Sequence, residues 1–110
     1  MDISTRDYKR VSVIRVTGRV DASTYTQLDA KLQEYIDSGR RHLVVEMDAT
    51  EFLSSAGARV LIEAQKALRA KGGRLVIAQP STQVREVIAL AGLDAVLPIY
   101  DDTMTAVGTE

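Results

Sequence analysis

The sequence predicts an α/β fold with a largely parallel sheet, and three observations lead there. Short runs rich in β-branched residues alternate with longer amphipathic stretches along the chain. Glycines stand where those longer stretches end. The run Arg74-Leu75-Val76-Ile77-Ala78 is apolar through its centre, as in a strand covered on both faces. The order reads β-β-α-β-α-β-α-β, a mixed, mainly parallel sheet of four to five strands with three to four helices and right-handed crossovers.

Each element has its own justification. Residues 3–8 are polar and read as an edge strand, turned near Lys9-Arg10 into a strand over 11–16 that ends at Gly18. Tyr25, Leu28, Leu32, Tyr35 and Ile36 recur at helical spacing, so 23–38 is an amphipathic helix. Asp21, Ser23 and Thr24 are its candidate N-caps, and Gly39 its left-handed stop. A strand follows at 43–47. A second helix runs from Ser55 to Ala70, with Val60, Leu61, Ala64, Ala67 and Leu68 inward and Gly72-Gly73 as its stop. After the strand at 74–78, Pro80-Ser81-Thr82 opens a third helix that Gly92 ends. Residues 95–100 read as a final edge strand, because Pro98 cannot donate to a ladder. A last helical turn begins near Asp101-Asp102-Thr103.

Composition bounds the function. The chain has 110 residues, 45% hydrophobic and 26% charged, enough for one packed domain over 1–110. Fourteen basic residues against fifteen acidic ones give a net charge of −1, with no excess to attract a nucleic-acid backbone. No cysteine excludes disulfides and thiolate metal sites, and a single histidine excludes multi-histidine ones. No apolar run approaches the ~20 residues of a membrane helix, and no signal sequence is visible, so a cytoplasmic protein without membrane insertion is expected.

The loops at the carboxyl ends of the strands, 18–21 and 48–54, are where such folds meet ligands and partners. His42 starts a strand at the other end of the sheet, away from them, and Arg40-Arg41, Arg69, Lys71 and Arg74 read as solvated ends of elements. Ser54 and Ser55 have no base nearby, and Phe52-Leu53-Ser54-Ser55-Ala56-Gly57 does not match Gly-x-Ser-x-Gly, so no catalytic residue is assigned and no enzyme is expected. No metal or cofactor is expected either.

The segment Ser54-Ser55-Ala56-Gly57-Ala58-Arg59 sets two hydroxyls and several small residues on the first turn of a helix. Capping explains a serine there. A docking surface with a phosphorylation switch explains the group: a helix N-terminus tolerates a phosphate, small residues admit a partner closely, and the added charge of roughly −1.5 to −2 breaks the contact.

With those residues in view, the chain resembles the stand-alone STAS domains of the anti-sigma factor antagonist (anti-anti-sigma factor) family typified by SpoIIAA and RsbV. Val16-Thr17-Gly18-Arg19-Val20-Asp21, the strand 43–47, Phe52-Leu53-Ser54-Ser55-Ala56-Gly57, Gly72-Gly73-Arg74-Leu75-Val76-Ile77 and Ala91-Gly92-Leu93 carry the resemblance. It implies a STAS fold and a partner switch. The unphosphorylated protein binds an anti-sigma factor that is a serine kinase of the histidine-kinase-like ATPase type. Phosphorylation of one serine releases it, and a serine phosphatase resets it. The family pattern Asp-Ser-Ser/Thr-Gly puts the phosphorylated serine at Ser55, with Asp21 as the loop aspartate near it, and implies a partner-binding set of Asp21, Ser54, Ser55, Ala56, Gly57 and Arg59. The family's preceding aspartate is Ser54 here, which makes Ser54 a competing acceptor, and its leucine after the glycine is Ala58. STAS domains also serve as non-switching subunits of scaffolds and membrane-transport complexes, the alternative reading.

Overall fold

A computed structural model describes residues 1–109. Six strands form one mixed sheet: β1 (Asp2–Asp7), β2 (Val11–Val20), β3 (His42–Glu46), β4 (Thr50–Leu53), β5 (Arg74–Ala78) and β6 (Ile99–Tyr100). Their order is β1-β2-β3-β5-β6, and β4 pairs with β2 off that path. Only the β1–β2 pair is antiparallel. The helices are α1 (Tyr25–Asp37), α2 (Ser55–Ala70), α3 (Thr82–Ala91) and α4 (Thr103–Gly108).

The main core lies under α1, α2 and α3. Leu28, Leu32 and Ile36 of α1 and Leu61, Ala64 and Leu68 of α2 close over Ile14, Val16, Leu43, Val45, Leu75 and Ile77 of the sheet. Burying each large aliphatic contributes about 1.5–3 kcal/mol, which is why the 3.6-residue pattern in α1 and α2 decides their orientation. On the other face Val11, Val13, Val44, Val76 and Ala78 meet Ala106 of α4.

Three details depart from the expectations. The strand read as ending before Gly18 continues to Val20, across a register shift at Gly18/Arg19 with Gly18 at φ 97°. The loop read over 48–54 contains β4, which runs parallel to that extension of β2. Thus β2 is flanked on one side by β3 along its first half and by β4 along its end, and the sheet gains a sixth strand. The expected strand over 95–100 is shorter. Leu93–Ala95 forms a 3-10 turn, and pairing is confined to Ile99–Tyr100, because Pro98 has no N–H to give and enters only through its carbonyl, 2.9 Å from the Ile77 N–H. The glycine stops hold: Gly39, Gly72 and Gly92 have φ of 100°, 81° and 66°.

Candidate functional site

The carboxyl end of β2 meets the start of α2. Val20 pairs with Leu53, and its carbonyl accepts the Ser54 N–H at 2.8 Å. The helix seats directly on this corner because residue 57 is glycine. A Cβ there would lie 2.6 Å from Val20 Cγ1 and 2.7 Å from Leu53 Cδ1. Gly57 and Ala58 are buried, so their small size serves this internal packing, and Ala56 is the small residue left half-exposed.

The two serines take different work. Ser54 is the N-cap of α2, and its hydroxyl accepts the Gly57 N–H at 3.1 Å. Ser55 is the first helical residue. It is exposed, and among the described residues its hydroxyl makes no hydrogen bond. Arg59, one turn on, is exposed on the same helix and borders two shallow grooves. One, of about 210 Å3, lies towards α1 with Ala56 and Tyr25 in its wall. The other, about 370 Å3, lies towards α3 and includes Ser55, Ile62 and Val87.

Asp21 follows Val20 and so stands beside the same corner. It is not the side-chain cap of α1. Thr24 occupies the N-cap position without a capping side-chain bond, and Asp21 instead organises the turn. Its main-chain carbonyl accepts from the N–H groups of Thr24 and Tyr25, and its Oδ1 accepts from the Ser23 hydroxyl at 2.8 Å and the Ser23 N–H at 3.0 Å. Those two bonds hold the Asp21 carboxyl below the usual carboxylate range, so it is an anion at neutral pH. Arg19 leans the same way: its Nε is 3.8 Å from Asp21 Oδ2, and its guanidinium stacks 4.4 Å from the centroid of Phe52.

All six expected residues, Asp21, Ser54, Ser55, Ala56, Gly57 and Arg59, therefore belong to one end of the molecule, four of them with solvent-facing or half-exposed polar side chains. The sequence reading missed three contributors: Arg19 and Phe52, which pair only because β4 lies beside β2, and Gln83. The Gln83 Oε1 accepts the Leu53 N–H at 2.9 Å, and Ser81 Oγ donates to the Thr50 carbonyl at 2.7 Å, so α3 clamps β4 from its far side. A glutamine in the first turn of a helix carries no sequence signal for such a role. His42 begins β3 at the opposite pole, and among the described residues no group of His, Asp and Glu side chains is placed to hold a metal ion.

A family model for the STAS domain matches residues 2–106. BtrV of Bordetella bronchiseptica is 34% identical over 89 residues, covering 81% of this chain and 77% of BtrV. The anti-sigma-F factor antagonist RsfB of Mycobacterium tuberculosis is 27% identical over 108 residues, 96% of this chain and 88% of RsfB. Among solved structures, the anti-sigma factor antagonist SpoIIAA in its unphosphorylated form superposes with a TM-score of 0.83 at 24% identity, over 96% of this chain and 93% of that one. The phosphorylated form of SpoIIAA from Bacillus superposes with 0.78 at 23% identity, over 98% of both chains. The chain belongs to the STAS domain family.

Proposed function

We propose that this chain is an anti-sigma factor antagonist that works by partner switching in the cytoplasm and has no catalytic activity of its own. Unphosphorylated, it binds an anti-sigma factor that is a serine kinase of the histidine-kinase-like ATPase fold, and the sigma factor is freed. The kinase moves the γ-phosphoryl group of ATP to Ser55 Oγ: a new O–P bond forms, the bond to ADP breaks, and the hydroxyl proton leaves to solvent. A serine phosphatase hydrolyses the ester and resets the system.

One observation carries the choice of residue. Of the two adjacent hydroxyls, Ser54 is committed to the helix cap, while Ser55 is exposed and uncommitted. The names of RsfB and SpoIIAA, and the existence of SpoIIAA in a phosphorylated form, support the assignment of function. The physics agrees. A phosphate at the first turn of α2 faces free N–H groups and the positive end of the helix dipole, so the fold bears it. In a closed interface the same charge is desolvated and meets Asp21, which weakens the complex.

The test is phosphorylation in native lysate with ATP and magnesium, read by intact mass and site mapping. A single phosphoryl group on the parent chain, absent from Ser55→Ala, is expected. No phosphate, or phosphate on Ser54 alone, overturns the reading and favours a non-switching subunit of a larger assembly.

A further inference from the structure

At the pole opposite Ser55, the turn between β1 and β2 and the segment between α1 and β3 border an open, shallow basic recess of about 390 Å3. Lys9, Arg10, Arg40 and Arg41 line it together with Ser38, Gly39 and His42. Four lining residues carry a permanent positive charge and none carries a carboxylate. The chain as a whole is nearly neutral, so this is local concentration and not a reflection of composition. Several cations elsewhere are paired: Arg15 with Glu46 and Asp48, Lys31 with Glu34, Lys66 with Glu63, Arg85 with Asp101. Among the described residues no carboxylate lies within ion-pair distance of Lys9, Arg10, Arg40 or Arg41.

The two inner guanidinium groups are fixed by the backbone. Arg40 Nη1 donates to the carbonyls of Tyr8 at 2.9 Å and Lys9 at 3.3 Å, which ties the two segments together. Arg41 Nη1 donates to the carbonyls of Arg40 at 3.0 Å and Ile36 at 3.4 Å. Binding these carbonyls is reason enough for a cation after the end of α1. It uses one nitrogen of each guanidinium, and no hydrogen bond from Nε or Nη2 of either is made to a described residue. It also leaves Lys9 and Arg10 unexplained. Gathering four like charges without a counter-charge costs stability, which a bound anion would return.

We infer that this recess is a second binding site, for a compact ligand that carries several negative charges on phosphate oxygens. A guanidinium held by one nitrogen keeps a planar fork that matches two phosphate oxygens, and it is already ordered. Convergence of four cations selects for more than one charge. No apolar side chain lines the recess, so recognition is of the charged group and not of an attached ring or chain. A volume near 390 Å3 falls in the range of small-molecule sites, roughly 300–1,000 Å3. The site is independent of the Ser55 switch, which stands at the other end of the strands.

Calorimetric titration of the full chain with inorganic triphosphate at fixed ionic strength, with a parallel thermal melt, tests this. Saturable one-site binding and a rising Tm are expected, with sulfate at equal ionic strength giving neither. Lys9 and Arg10 are exposed turn residues, so the double variant Lys9→Gln/Arg10→Gln keeps the fold and weakens binding by about tenfold. Lys31→Gln/Lys66→Gln, an equal charge change on α1 and α2, leaves it unaltered. Absence of saturable binding, or equal losses in both double variants, overturns the inference. Sedimentation with phosphatidylcholine vesicles containing phosphatidic acid separates the sources. Vesicle binding alongside triphosphate binding identifies a lipid headgroup, triphosphate binding alone a free phosphate compound. Vesicle binding without triphosphate binding overturns the compact site.

Discussion

Ser54 and Ser55 are chemically identical and one residue apart, yet they predict opposite experiments. Ser54→Ala removes the bond to the Gly57 N–H and is expected to lower stability by about 1 kcal/mol in chemical denaturation. Ser55→Ala loses no bond and is expected to leave the denaturation midpoint in place while abolishing phosphorylation. Ser55→Asp is expected to keep stability within about 1 kcal/mol, since an acid suits a first helical turn, while weakening the kinase complex in a pull-down or titration. Asp21→Ala removes the acceptor for both Ser23 donors and is expected to slow phosphorylation more than it lowers the Tm. An unfolded Asp21→Ala would instead make Asp21 a purely structural residue. The pair of hydroxyls was legible in the sequence. Which of them caps was not, because serine is a good N-cap at either position and only the folded turn shows that the Ser54 hydroxyl accepts the Gly57 N–H.

At the scale of elements, β4 is what brings the site together. It joins β2 on one side and is held by Gln83 and Ser81 of α3 on the other. Four residues with one glutamate and one half-buried aromatic read as a loop, and only their long-range partners make them a strand. The five residues Arg74-Leu75-Val76-Ile77-Ala78 and their neighbours on β3 were legible for the opposite reason: a strand buried on both faces writes an unbroken apolar run. Gly72 and Gly73 were read together as one stop, but they do separate jobs. Gly72 takes the left-handed φ, while a Cβ on Gly73 would stand 2.0 Å from the Arg41 carbonyl oxygen that accepts the Arg74 N–H. Since the obstacle is backbone, Gly73→Ala must part β3 from β5 at their start. It is expected to cost about 2–3 kcal/mol in urea denaturation, more than Gly72→Ser.

For the molecule as a whole, the face of the sheet away from α1–α3 depends on a buried carboxylate. Glu46 is shielded by α4, and its oxygens accept from Thr103 Oγ1 at 2.5 Å and from Arg15 Nη1 at 2.8 Å, with Arg6 at 3.4 Å. Burial pushes its carboxyl up, but the bonds from Thr103 and Arg15 and the two positive charges outweigh that, and it sits below the ordinary range. A carboxyl lowered in the folded state binds fewer protons than in the unfolded chain. Its stabilisation is therefore complete at neutral pH and is lost as pH falls from about 4.3 through the folded-state value. Glu46→Gln is expected to lower neutral stability by about 1–2 kcal/mol and to flatten the acid limb of a stability–pH curve. The near-neutral charge and ordinary composition were legible at this scale, but Arg40 and Arg41, read as solvated, are half-buried, since only the folded turn supplies the carbonyls they meet. The sheet has one further consequence, for crowded solutions. Each of its open margins is blunted differently: β1 by the charges of Asp2, Arg6 and Asp7, β6 by its two-residue length after Pro98, and β4 by the Gln83 side chain on the Leu53 N–H. A second copy therefore meets charged side chains, a very short strand or an occupied N–H at these margins, each of which disfavours edge-to-edge pairing.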